Sequence, residues 1–268
     1  MTAPGAQEHL LVEKSGHVVT LTMNRPEAKN AFSPNMLARM AEAWDMVDSD
    51  PDVRVAVLTG AGGVFCAGAD LKAMNDTVNT DPYALRFRSD AGTAWKALLR
   101  HHTLTKPLVA AVEGYAVAGG TEILQATDVR IAAEGAVFGV LEVTRGLFPL
   151  GGSTVRLRRQ VPYARAMEIL LTGETLTAAE AERIGLVSRV VPDGTALAEA
   201  QRVAEVIARN APLSVQAVKR SVQLTEGLPE AEALKVELEI GMPIFATADA
   251  KEGTLAFKEK REPRYEGR

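Results

Sequence analysis

The strongest constraint on this chain is a pair of short apolar runs that each stop at glycine. Residues 53–59, rich in Val and Leu, end in Gly60-Ala61-Gly62-Gly63, and residues 108–112 end near Gly114. Runs of this length bounded by turn residues read as strands. Residues 17–23 are β-branched and partly alternating and stop at Asn24-Arg25-Pro26, a loop signal. Ser33-Pro34 then joins an N-cap to a proline at the first helical position, and Leu37, Met40, Ala41, Trp44 and Val47 follow at helical spacing. Short β-rich runs alternating with helices predict an α/β layer architecture with right-handed crossovers.

From about residue 162 the pattern turns helical, and only residues 186–191 still read as a strand. Thr177-Ala178-Ala179-Glu180 is a capping box, and helical periodicity continues over residues 195–210, 212–225 and 229–240. No repeat, low-complexity tract or linker separates the two parts. The expected division lies near Gly194, with residues 1–194 as core and residues 195–268 as a helical C-terminal region.

Composition narrows the function classes. A chain of 268 residues with 47% hydrophobic and 24% charged residues can bury a sizeable core, which excludes global disorder. Thirty Lys and Arg against 34 Asp and Glu give a net charge of −4, so there is no broad basic field for nucleic acid or anionic lipid. One cysteine, Cys66, excludes an internal disulfide and a multi-cysteine metal cluster and suits a reducing compartment, with the cytoplasm as the expected location. Residues 1–9 lack the basic-then-apolar order of a secretory signal, and Glu113 interrupts the most apolar stretch, residues 108–118. A soluble protein is expected.

Two segments with small residues follow apolar strands: Phe65-Cys66-Ala67-Gly68-Ala69-Asp70-Leu71-Lys72 and Gly114-Tyr115-Ala116-Val117-Ala118-Gly119-Gly120-Thr121-Glu122. Small residues let a ligand approach the main chain, and a tight turn before a helix leaves N–H groups without intrahelical partners. Each segment offers one hydrogen bond to an oxyanion. Other features carry less. His101-His102 read as structural, adjacent residues on different faces of a helix with no further metal-ligand spacing. Gly60-Ala61-Gly62-Gly63 lacks the Gly-Lys-Ser/Thr of a P-loop, and Gly151-Gly152-Ser153 makes no nucleophile elbow. Cys66 reads as a small buried hydrophobe. Arg156, Arg158, Arg159 and Arg165 form a basic cluster, read as subunit salt bridges or a site for the phosphates of RNA or of a ligand.

The two small-residue segments, with Asn24-Arg25-Pro26 and Asn30-Ala31 upstream, resemble the crotonase, or enoyl-CoA hydratase and isomerase, family. Further matches are Phe138-Gly139, Glu142, Gly146, Pro149, Leu170-Leu171-Thr172-Gly173, residues 178–187 and the tail Phe257-Lys258-Glu259-Lys260-Arg261, so the resemblance spans nearly the whole chain. It implies a spiral of ββα units with a helical C-terminal trimerisation region, and trimers that pair into hexamers. By position it assigns the Ala69 and Gly119 N–H groups to the thioester carbonyl oxygen, where preorganised donors stabilise a developing enolate. It assigns Glu122 to water activation and Glu142 to proton delivery, the two together giving syn addition of water.

The resemblance also implies CoA contacts at Ala28, Lys29, Ala67, Lys72, Phe257 and Lys260, with Glu27 standing where a basic residue is common. The sequence departs from the common pattern at Leu141, at Ala118 and over residues 149–153. Leu141, Phe148 and Leu150 are therefore expected to shape the acyl pocket for a bulky enoyl group. The implied activity is hydration of a trans-2-enoyl-CoA to a 3-hydroxyacyl-CoA in the breakdown of fatty-acid or related lipid chains, steroid-derived ones included. No metal or redox cofactor is expected, CoA being part of the substrate, and neither nucleic acid nor membrane is expected as a partner. The alternatives are a Δ3,Δ2-enoyl-CoA isomerase working through Glu142 alone, and a non-catalytic family member that binds RNA or a protein partner. Retention of both glutamates favours the hydratase.

Overall fold

The computed structural model describes residues 8–268 apart from Thr77 and Ala91. Residues 1–7, part of the stretch read for a secretory signal, lie outside the described residues. In chain order the elements are β1 (Leu10–Ser15), β2 (Val18–Met23), α1 (Pro34–Ser49), β3 (Val55–Gly60), α2 (Leu71–Met74), α3 (Pro82–Ser89), α4 (Gly92–Ala97), β4 (Leu108–Val112), β5 (Tyr115–Val117), α5 (Gly119–Leu124), β6 (Val129–Ala133), β7 (Val137–Gly139), α6 (Ser153–Gln160), α7 (Tyr163–Thr172), β8 (Leu176–Thr177), α8 (Ala178–Arg183), β9 (Arg189–Val191), α9 (Ala196–Arg209), α10 (Pro212–Thr225), α11 (Glu230–Gly241) and α12 (Ala248–Glu259). A six-stranded sheet runs β1-β2-β3-β4-β6-β9, parallel except for the β1–β2 hairpin, and a small sheet runs β5-β7-β8.

The apolar runs are explained by burial on both faces of the large sheet. Val19, Leu21, Ala56, Leu58, Leu108, Ala110 and Val112 point into a core completed by α1 through Met36, Leu37, Met40, Trp44 and Val47. Val18, Val55, Val57, Val109 and Ala111 point the other way, onto Ala196, Ala200, Ala204 and Ala208 of α9. Alanine at every fourth position lets that helix lie close to the strands. Helix α9 follows Gly194, yet its packing joins it to the sheet.

Ser33 caps α1 by accepting the Met36 N–H at 3.1 Å, and Trp44 is fully buried with its indole N–H on the Ala97 carbonyl at 2.9 Å. The capping box at Thr177 and Glu180 forms. The strand expected over residues 186–191 contracts to Arg189–Val191, because Leu186 and Val187 pack in the core beside the end of α8 instead of pairing with β6. The mostly helical part of the chain begins earlier than expected, at Ser153. Among the described residues no helix is long and apolar enough to cross a membrane.

Each turn of the chain repeats one pattern: a strand in the large sheet, a short extended piece beside the small sheet, then a helix. Strand β4 leads to β5 and α5; β3 leads through Cys66, which bridges to Ala116, into α2; β6 leads to β7 and the turn at Glu142. Adjacent turns therefore bring equivalent positions side by side, and that repetition builds the site.

Candidate active site

The Ala69 and Gly119 segments are neighbouring turns in direct contact. A Cβ at Gly68 would stand 2.8 Å from that of Ala118 and 3.2 Å from the Gly119 nitrogen, so only glycine fits there. A Cβ at Gly120 would meet the Cys66 carbonyl oxygen at 2.3 Å, so the second loop packs backbone to backbone against the first. Among the described residues, neither the Ala69 nor the Gly119 N–H donates to a protein acceptor. Both residues line one cavity of about 650 Å3.

Upstream residues hold these loops rather than the ligand. Arg25 pairs with Asp70 at 2.9 Å and donates to the Ala31 carbonyl at 2.8 Å. Buried Asn30 accepts the Arg25 N–H and donates to the carbonyls of Ala61 and Val64. Ala118 carries strain: its φ of 51° and ψ of −126° belong to a region that favours glycine.

Glu122 and Glu142 line the same cavity from different turns. Glu122, on α5, is 4% exposed and accepts the Ser153 N–H at 3.2 Å. Burial raises its pKa, while N–H groups of Ser153, Gly151 and Gly152 and the Ser153 hydroxyl pull it back. Glu142 opens the single helical turn Glu142–Arg145. Its Oε2 is buried with no hydrogen-bond partner among the described residues. Burial, reinforced by the charge of Glu122 and opposed by its own backbone N–H and by Arg145, pushes its pKa up to about 7. The site thus pairs a carboxylate held by donors with one kept ready to carry a proton, both beside two free N–H groups.

The sequence model for enoyl-CoA hydratase/isomerase matches residues 13–268. The chain belongs to that family. It is 53% identical over 258 residues to enoyl-CoA hydratase EchA19 of Mycobacterium tuberculosis strain H37Rv, covering 96% of each chain. It is 44% identical over 259 residues to the (E)-benzylidenesuccinyl-CoA hydratase of Thauera aromatica, covering 96% of this chain and 98% of that one. The crystal structure of enoyl-CoA hydratase EchA1 from Mycobacterium marinum superposes with a TM-score of 0.90 at 42% identity, covering 98% of this chain and all of that one.

Against this family background the expected site residues divide. Leu141, Phe148 and Leu150 line the cavity, as does Ala67, whose N–H donates to the Lys29 carbonyl at 3.0 Å. Lys29 is thereby tied to a cavity-lining residue, although neither it nor Ala28 lines the cavity, and its ammonium stands 5.1 Å from the Tyr115 ring centre. Lys72, exposed on α2, Phe257 on α12, 88% exposed, and Lys260 just after it are not among the cavity-lining residues. Much of the apolar wall comes from Leu37, Leu71, Met74, Phe87, Trp95 and Leu98, none of which was expected in the site. Among these only Leu37, on the apolar face of α1, and Leu71, in the first loop motif, carried any sequence signal.

His101 and His102 lie in a bend after α4 and not on a helix, His101 packing edge-on against Trp95 and His102 facing Asp48 at 3.3 Å. The arginine cluster disperses. Arg156 turns inward to the carbonyls of Leu99 and Gly151, Arg159 pairs with Glu226, and Arg165 pairs with Glu168, all within the chain. Cys66 is fully buried, which pushes its thiol up to about 12 and leaves it the inert hydrophobe expected.

Proposed function

We propose that this site adds water across the double bond of a trans-2-enoyl-CoA. The observation that carries the reading is the pairing of two carboxylates, Glu122 buried and donor-held and Glu142 half-buried with a pKa of about 7, in a cavity that also holds two unpaired N–H groups. The thioester oxygen binds the Ala69 and Gly119 N–H groups, which lowers the energy of the enolate as hydroxide character builds at Cβ. Glu122 takes the proton of the attacking water. Glu142, neutral below about pH 7, delivers a proton to Cα. The step conserves charge within the pair and uses no redox or metal chemistry, the CoA portion being substrate.

The cavity supports a bulky apolar acyl group, since its wall is built from Trp95, Phe87, Phe148 and several leucines. Ala28, Lys29, Ala67 and Lys72 are assigned to the CoA chain, and Phe257 and Lys260 to the nucleotide of a neighbouring protomer. That assignment goes with assembly into a homotrimer or a hexamer of two trimers. Exposed Val218, Val222, Leu234, Leu238, Met242 and Phe245 give α10, α11 and the turn after them an apolar face suited to a second copy. A cytoplasmic location accords with the reduced, buried Cys66.

The test is a panel of enoyl-CoAs of graded acyl size, followed by loss of the conjugated thioester absorbance and by product mass. Gain of one water on the 2-enoyl substrates, fastest with a bulky acyl group, is expected. Conversion of 3-enoyl-CoAs with no hydration of any 2-enoyl-CoA would replace the reading with isomerisation.

A further inference from the structure

A second, polar cavity of about 340 Å3 lies apart from the acyl cavity, and its wall includes His102, Gln125, Arg156, Gln160 and Lys219. Gln125, just after α5, is 2% exposed, yet its Oε1 has no hydrogen-bond partner among the described residues. An apolar side chain of similar size would avoid that unpaired oxygen, so the amide needs a reason elsewhere. Its other end supplies one: Gln125 Nε2 donates to Ser153 Oγ at 2.9 Å. Ser153, fully buried at the start of α6, donates its N–H to Glu122 Oε1 at 3.2 Å, and its hydroxyl is among the groups that pull the Glu122 pKa down against burial.

A serine hydroxyl has one hydrogen and can spend it on the carboxylate or elsewhere. When an amide N–H occupies the serine oxygen, the hydrogen is left for Glu122, and a carboxylate is the stronger acceptor. The reversed amide would compete for that same hydrogen.

We propose that Gln125 is a positioning residue for hydration: by donating to Ser153 it leaves the serine hydroxyl for Glu122, orienting that carboxylate to take the proton of the attacking water. The inference rests on Glu122 acting as the base. The other charged groups near Glu122 are Glu142 on the same acyl cavity, whose pKa the Glu122 charge raises, and Arg156 of α6, whose charge favours the ionised carboxylate. The Gln125–Ser153 pair works in the same direction as Arg156.

The test measures kcat and kcat/KM against pH, on the best substrate of the panel, for Gln125→Met, Ser153→Ala, the double variant and Glu122→Gln. Gln125→Met is expected to lose about 3- to 10-fold in kcat/KM on the acid side, the worth of one hydrogen bond, with KM unchanged. Its acid limb moves to higher pH, because a carboxylate that loses a donor binds its proton more tightly. Ser153→Ala moves the same limb the same way and at least as far, and the double variant is no worse than Ser153→Ala, since Gln125 acts only through the serine. Gln223→Ala, on the same cavity but bonded to neither residue, keeps the wild-type profile. A folded Gln125→Met with the wild-type acid limb, or losses that add in the double variant, overturns the proposal. Should Gln125→Met fail to fold, an unchanged acid limb in Ser153→Ala rejects it equally. Full activity in Glu122→Gln would instead remove the base assignment, whereas an inactive Glu122→Gln beside silent Gln125 and Ser153 variants would remove only this inference.

Discussion

The two halves of the site are built differently. Glu122 belongs to the interior: it sits on a helix inside the spiral, is held by the backbone of residues 151–153, and faces loops that touch backbone to backbone. Glu142 belongs to a rim, where Val143, Leu147, Phe148 and Leu150 are exposed on the same loop. The contrast matches the work each half does. A buried base is kept ionisable by several fixed donors, whereas an acid must stay neutral, which needs burial and few donors. The rim is also free to vary with the acyl group, because its residues carry little of the core.

The sharpest way to break that division is to remove the charge from either side. Glu122→Gln and Glu142→Gln keep size and most hydrogen bonding, and hydration should fall about 10²- to 10⁴-fold in each. At 1.36 kcal/mol per decade this is roughly 2.7 to 5.4 kcal/mol of transition-state stabilisation. If the pair acts on one water, the double variant is little worse than the more damaging single one. Steady-state kinetics showing near wild-type turnover in either would dissolve the two-carboxylate scheme.

The interior half should also be intolerant of a single methyl group. Gly120→Ala drives a Cβ onto the Cys66 carbonyl, where neither backbone has room to yield. Overpacking of this kind costs about 1 to 3 kcal/mol, so chemical denaturation should show a lowered midpoint and activity should fall with it. An unchanged midpoint would mean that the two loops are not locked together.

How much of this could be read in the sequence follows the same division. The N-cap at Ser33, the capping box at Thr177 and the small-residue segments at Ala69 and Gly119 are local chemistry, and each formed where the residues indicated. Strand β1 and helices α2 to α4 were not legible, since pieces of four to eight residues are too short for their periodicity to stand out. Those helices supply Met74, Phe87 and Trp95 to the cavity wall. Their convergence is a product of the spiral, not of any motif. Gln125 is the extreme case, its meaning depending wholly on a serine brought to it by the fold.

At the rim the expected effects are milder. Phe148 is 63% exposed while lining the cavity, so Phe148→Ala leaves the fold intact. It should raise KM for a bulky enoyl-CoA by about 10-fold and leave the smallest substrate nearly unaffected, in line with the worth of a few apolar contacts. Equal losses across the substrate panel would place Phe148 in the chemistry and not in acyl selection.

A smaller change tests whether the interior holds strain in order to aim a donor. Ala118→Gly removes the Cβ from a positive φ at the residue just before the Gly119 N–H. A gain of about 1 kcal/mol is expected once the added freedom of the unfolded chain is counted, seen as a Tm rise of about 2 to 4 °C. A fall in Tm would show that the Ala118 methyl packs more than it strains.

The smallest expected effect joins the two halves through pH. Glu142 must carry a proton to deliver one, so kcat/KM should be full below its pKa of about 7 and fall as pH rises through it. Arg145, exposed on the same turn, favours the ionised form and holds that value down. Arg145→Met therefore moves the basic limb to higher pH, by less than about one unit because an exposed charge is screened, and the shift shrinks as salt is added. The acid limb, set by Glu122 on the interior side, stays where it was. A variant that moved both limbs together would show that the carboxylates titrate as one group, and the separation of a fixed base from a rim acid would fail.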